Sequence, residues 1–159
     1  MSEYGQESIW RDTATADTER ARDLAARLER RAKAEDEVAA RDTYLGLLNI
    51  SEGERVLDVG CGSGAVTREI ATRVGSTGLA VGLDPSPALL AVARELAHEA
   101  GLGDCVEFRE GDALRLSFPD RSFDAAVCVT VLSHVPRGEA AIPELVRVLR
   151  SGSSTSTQI

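Results

Sequence analysis

Apolar positions change their period several times along this 159-residue chain. Across residues 17–50 they recur three and four apart among Arg and Glu: Leu24, Leu28 and Ala32, then Val38, Tyr44, Leu45 and Leu48. That is the period of amphipathic helices, and Glu29 and Lys33, four apart, support an exposed helical face. Residues 55–59 form a short apolar run broken by Asp58 and predict a first buried strand. Residues 65–74 return to helical spacing, and the break at residues 75–78 precedes a second buried strand over 79–83 that ends at Asp84. Ser86 caps and Pro87 opens the next helix, whose apolar face is Leu89, Leu90, Ala93, Leu96 and Ala97 and whose end is Gly101. Residues 105–108 predict a short third strand and 123–129 a fourth. A last helix is expected over 139–150, with Ile142, Leu145, Val146 and Leu149 inward. Strands alternating with helices predict an α/β, Rossmann-like, doubly wound and mostly parallel sheet with helices on both faces. Ligands of such sheets bind beyond the carboxyl ends of the strands, where residues 60–64, Asp84, Asp112 and Cys128 should converge.

Composition narrows the classes of partner. A net charge of -8 opposes nucleic acid and anionic membranes, both of which need a basic face. The three cysteines, Cys61, Cys105 and Cys128, form no C-x-x-C pair, which opposes a zinc site and a disulfide framework and fits a reducing compartment. The polar N-terminus lacks a basic region followed by an apolar run, and no stretch approaches the ~20 apolar residues of a membrane helix. The expectation is a cytoplasmic protein. Its expected parts are an N-terminal arm and helical cap (1–50), a Rossmann-like ligand-binding domain (51–152) and a disordered tail (153–159). The helices of the cap are expected to cover one side of the sheet; the alternative is a lid closed by Tyr4 or Trp10.

The candidate chemistry lies in V-L-D-V-G-C-G-S-G, residues 56–64. An apolar run, then glycines at alternate positions, then a helix, describes a turn that brings backbone close to a ligand and aims helix N–H groups at it. Gly60, Gly62 and Ala65 fit a dinucleotide pattern, and Asp84 lies near the offset expected of a ribose-binding acid. Asp84 would serve any adenosine ligand. Asp58 does discriminate, because a carboxylate two residues before the first glycine repels a pyrophosphate and attracts an amino group or a sulfonium. Gly64 widens the loop, and Asp112 with Ala113 offers an acceptor for an adenine amino group. The ligand so described is an adenosine without phosphates that carries positive charge. S-adenosylmethionine fits, with NAD as the alternative.

With these segments the chain resembles a class I S-adenosylmethionine-dependent methyltransferase of the quinone-biosynthesis and small-molecule kind. The resemblance rests on V-L-D-V-G-C-G-S-G, G-L-D-P-S, E-G-D-A and S-F-D-A-A-V-C-V-T-V-L-S-H-V, in that order, within about residues 41–152. It implies that Gly60, Cys61, Gly62 and Gly64 line the methionine part, with Asp58 orienting its amino group. Asp84 and the adjoining Pro85 would hold the ribose, Asp112 and Ala113 the adenine. Cys128 or Val129 would face the methionyl side, toward a small-molecule methyl acceptor. His134 is the candidate general base; its other reading is a cap on the turn at Val135 and Pro136. The two buried-looking thiols, Cys61 and Cys128, read as small fillers rather than nucleophiles. Family members usually continue past such a helix into further strands of a seven-stranded sheet, whereas Arg150 is followed by S-G-S-S-T-S-T-Q-I. The expectation is a chain truncated at its C-terminus, a sheet of four strands and an exposed edge open to self-association. The alternative function is a non-catalytic S-adenosylmethionine-binding module or a subunit completed by a partner.

Overall fold

A computed structural model describes residues 17–129 and 138–158. Helix α1 (Thr18–Ala32) opens at Asp17, whose carboxylate accepts the Arg20 amide at 2.9 Å, and α2 (Glu35–Leu47) carries three acids in its first turn. Both starts complement the helix dipole. There follow β1 (Arg55–Val59), α3 (Ala65–Val74), β2 (Leu79–Asp84), α4 (Pro87–Glu99), β3 (Val106–Glu110), β4 (Phe123–Val129), α5 (Ala141–Val148) and β5 (Leu149–Gln158). Helix α4 begins as its sequence dictates, with Ser86 Oγ accepting the Leu89 amide and Pro87 in the first turn.

All five strands are parallel, in the order β3-β2-β1-β4-β5. The period of two in β1 divides the core. Leu57 and Val59 join Val81, Leu83 and Ala126 under α5, with Leu145 and Val148, on one face. On the other, Val56 meets Ala80 and Val127 under Ile70 and Val74 of α3 and Tyr44, Leu45 and Leu48 around α2. Strands buried on both faces must be apolar throughout, which is why Asp58 is conspicuous. Helix α1 lies against α4, with Ala21 and Ala25 buried and Arg22 near Glu95.

Two expectations are corrected. The sheet has five strands and not four, and residues 153–158 are not a disordered tail. They continue β5, paired in parallel with β4 from Ala125↔Ser154 to Val129↔Gln158. The reason lies in β4, a largely buried strand whose backbone has one edge satisfied by β1. Its other N–H and C=O groups need a partner, and a backbone ladder at an edge does not require apolar side chains. The last helix is also shorter than expected, covering Ala141–Val148 after a 3₁₀ turn at Gly138–Ala140. Leu149 is therefore a strand residue, and Gly152, at φ 88°, takes up the register shift opposite Asp124.

Candidate functional site

The carboxyl ends of β1 to β4 meet α1 and α2 around a cleft of about 240 Å³. Its floor is the turn between β1 and α3. Gly60, Gly62 and Gly64 have φ of 74°, 54° and 78°, where an L side chain is strained. The Gly60 and Cys61 amides both donate to Leu83 O, at 2.7 and 3.0 Å, and the Gly64 amide donates to Cys61 O at 2.8 Å. Asp84 ties the same turn to β2. It accepts the Gly62 amide on Oδ2 and the Ser86 amide on Oδ1, both at 2.9 Å. Each oxygen keeps a lone pair for a further donor. Burial raises the Asp84 carboxyl above its ordinary value, against those two bonds.

Asp58 is 3% exposed on the sheet face beneath α2 and α3. Thr67, in the first turn of α3, donates its hydroxyl to Asp58 Oδ2 at 2.6 Å. No ion pair reaches Asp58 from the described residues, and burial pushes its carboxyl from 3.8 up to about 6, opposed by the Thr67 bond and helped by the charge of Asp84. A buried carboxylate without a cation, open to a cleft, fits a ligand that brings the cation. Tyr44 of α2 lines the same cleft; burial and then Asp58 hold its phenol above the ordinary 10. The two arginines of the wall are already paired, Arg31 with Glu37 at 2.5 Å and Arg41 with Glu69. The interior favours a cation and offers little to a pyrophosphate.

Of the residues named from the sequence, Asp58, Gly60, Cys61, Gly62, Asp84, Pro85, Asp112, Ala113 and Val129 all line the cleft. Gly64 and Cys128 do not. Gly64 lies under the turn, where an added Cβ would stand 2.9 Å from the Phe108 ring, so its absence of a side chain serves packing. Cys128 is in the core on the α5 face, its thiol pushed up to about 12 by burial. The Cys61 thiol is likewise raised by burial, as befits a filler. At the rim, Asp112 Oδ1 is taken by the Leu114 amide at 2.8 Å. His134, Tyr4 and Trp10 lie outside the described residues. Sequence reasoning missed the wall built by Leu28, Arg31, Glu37, Arg41 and Tyr44. The helical stripe was legible as a cover for the sheet, and Tyr44, an aromatic with a polar tip inside it, was the available signal that the cover also faces a ligand.

Comparison with known proteins agrees with this geometry. A methyltransferase-domain family matches residues 56–152. The 2-phytyl-1,4-naphtoquinone methyltransferase of Synechococcus elongatus is 43% identical over 101 residues, covering 64% of this chain and 43% of the relative. A sterol 24-C-methyltransferase of Gibberella zeae is 37% identical over 116 residues, covering 72% of this chain and 30% of that one. The chain thus spans less than half the length of these relatives. Among solved structures, the [4+2]-cyclase SpnF superposes with a TM-score of 0.68 at 31% identity, over 79% of this chain and 47% of its own. On the family match, and on a cleft that suits a cationic adenosine, the chain belongs to the class I S-adenosylmethionine-dependent methyltransferases.

Proposed function

We propose that this chain binds S-adenosylmethionine in the cleft and transfers its methyl group to a small-molecule acceptor. The observation that carries the reading is Asp58, a buried carboxylate facing the cleft with no cation paired to it among the described residues. Asp58 holds the ammonium of the methionine moiety, and the turn at Gly60, Cys61 and Gly62 lets that chain lie against backbone. Asp84 accepts from the ribose hydroxyls with its remaining lone pairs, while Asp112 and Ala113 receive the adenine. When bound, the cofactor supplies a methyl group already activated on a sulfonium. What remains for the protein is alignment and the exclusion of water, and alignment alone can lower such a barrier by up to ~7–11 kcal/mol. Leu28 and Tyr44 supply the dry wall, and Val129 borders the side from which an acceptor approaches. His134, five residues beyond β4, is the proposed base for acceptors that must lose a proton. The names of the quinone and sterol relatives support a small apolar acceptor. Three free thiols support a cytoplasmic setting, and no helix among the described residues is long and apolar enough to cross a membrane. The outer edge of β5, without a strand partner among the described residues, supports self-association, which light scattering would read.

Thermal melting with and without S-adenosylhomocysteine tests the reading. At about 100 times its Kd the ligand stabilises by ~2.7 kcal/mol, a Tm rise of roughly 5–11 °C for a chain of this size. Turnover of a demethylated naphthoquinone or a sterol, followed as S-adenosylhomocysteine release, then separates an enzyme from a binding module. A Tm that rises with NADH and not with S-adenosylhomocysteine overturns the proposal.

A further inference from the structure

Helix α1 is fastened to the glycine turn by a closed ring of three hydrogen bonds. The Ser63 hydroxyl donates to Glu29 Oε1 at 2.7 Å, and Arg68 Nη2 donates to Glu29 Oε2 at 2.7 Å. Arg68 Nη1 closes the ring on the Ser63 carbonyl at 2.9 Å. The ring is well shielded: Ser63 is 2% exposed, and the side chains of Arg68 and Glu29 are 16% and 19% exposed. One residue earlier on α1, Leu28 reaches over the turn, its Cδ1 3.0 Å from where a Cβ on Gly62 would stand. Leu28, Arg31 and Ala32 of the same helix then form a wall of the cleft. Ser63 sits between two residues at positive φ, Gly62 and Gly64, in backbone with little conformational restraint of its own. The ring supplies that restraint from outside the turn, and a carboxylate that accepts from both a hydroxyl and a guanidinium is stronger than neutral bonds of the same number.

We propose that Glu29 is a positioning residue for the cofactor cleft: through Ser63 and Arg68 it holds the glycine turn and the α1 wall in one register. Glu29 itself does not line the cleft; its effect passes through the turn. The proposal rests on the reading of the cleft as an S-adenosylmethionine site, and its test keeps the two apart. Hydrogen exchange on the ligand-free chain comes first. The Cys61, Gly62 and Gly64 amides are hydrogen-bonded, and in Glu29→Gln they should exchange about tenfold faster while β4 amides keep their rates. Tenfold corresponds to the weakening of one bond to a charged acceptor. Titration with S-adenosylhomocysteine should then show Glu29→Gln about tenfold weaker, and Ser63→Ala weaker too. The double variant should bind no worse than the weaker single, as members of one ring are not additive. Arg147→Gln, which breaks an ion-pair cluster away from the cleft, controls for general destabilisation and should lower Tm without changing affinity. Unchanged exchange at residues 61–64 in both Glu29→Gln and Ser63→Ala overturns the clamp. So does an affinity loss that Arg147→Gln reproduces. A wild-type chain that ignores S-adenosylhomocysteine overturns the cofactor reading instead, and the exchange rates still decide the clamp.

Discussion

Replacing Asp58 by Asn should make the empty protein more stable and the ligand-bound one much weaker. The Asp58 carboxyl stands at about 6 in the fold against an ordinary 3.8, chiefly because burial disfavours its charge. A group raised in this way favours the fold below the unfolded value, and that contribution is lost as pH rises from about 4 through about 6. At neutral pH the ionised carboxylate therefore costs the fold about 3 kcal/mol, on the order of 1.4 kcal/mol per pH unit of difference. Asn is nearly isosteric and its carbonyl still accepts from the Thr67 hydroxyl. The shift to about 6 already includes the charged bond to Thr67, so about 3 kcal/mol of gain is expected, a Tm rise of roughly 6–12 °C at pH 7. Binding runs the other way. A ligand ammonium needs the ionised form, which is about nine-tenths populated at pH 7 and about one-tenth at pH 5 for a group titrating near 6. Wild-type affinity for S-adenosylhomocysteine should fall about tenfold between those pH values, whereas Asp58→Asn should be weak and flat across them. Calorimetric titration at fixed ionic strength reads the affinities, and differential scanning calorimetry the Tm. A wild-type Kd that does not change between pH 5 and 7, or an Asn variant that binds normally, would refute the assignment of a cation to Asp58.

Further outcomes follow from the same geometry. Gly64→Ala places a Cβ 2.9 Å from the Phe108 ring and 3.2 Å from Ala93, at a φ of 78°. Strain of ~1–2 kcal/mol and overpacking of ~1–3 kcal/mol should lower Tm by roughly 4–20 °C, seen by thermal melting. Arg147 donates to Leu116 O, Phe118 O, Asp120 and Glu144, clasping the loop before β4. Its hydrogen bond is the main reason the Glu144 carboxyl lies near 2 rather than 4.5. That stabilisation is present above pH 4.5 and lost as pH falls toward 2, so acid unfolding of Arg147→Gln should lack this step. Deleting residues 153–159 removes five paired positions from the edge of β4. At ~0.5–1.5 kcal/mol per net hydrogen bond the loss should be several kcal/mol, and an unchanged denaturant midpoint would count against the strand.

The sequence by itself determined the order of strands and helices through Val129, because each is written in local terms: apolar runs for buried strands, stripes for helices, Ser86 and Pro87 at a helix start. It also determined most of the cleft, since in a parallel sheet the turn after β1 and the ends of β2 and β3 must share one side. The tertiary structure alone decided the rest. Whether residues 153–158 would be strand depended on the unsatisfied edge of β4, a demand from a distant segment that a Ser- and Thr-rich tail does not announce. Gly64 and Cys128 sit in the right segments, yet the Phe108 ring and the packing of α5 place them in the core rather than on the cleft. The wall of α1 and α2, and the ring of Glu29, Ser63 and Arg68, join residues more than thirty positions apart. Periodicity records which face of a helix is covered; only the packed fold records what covers it.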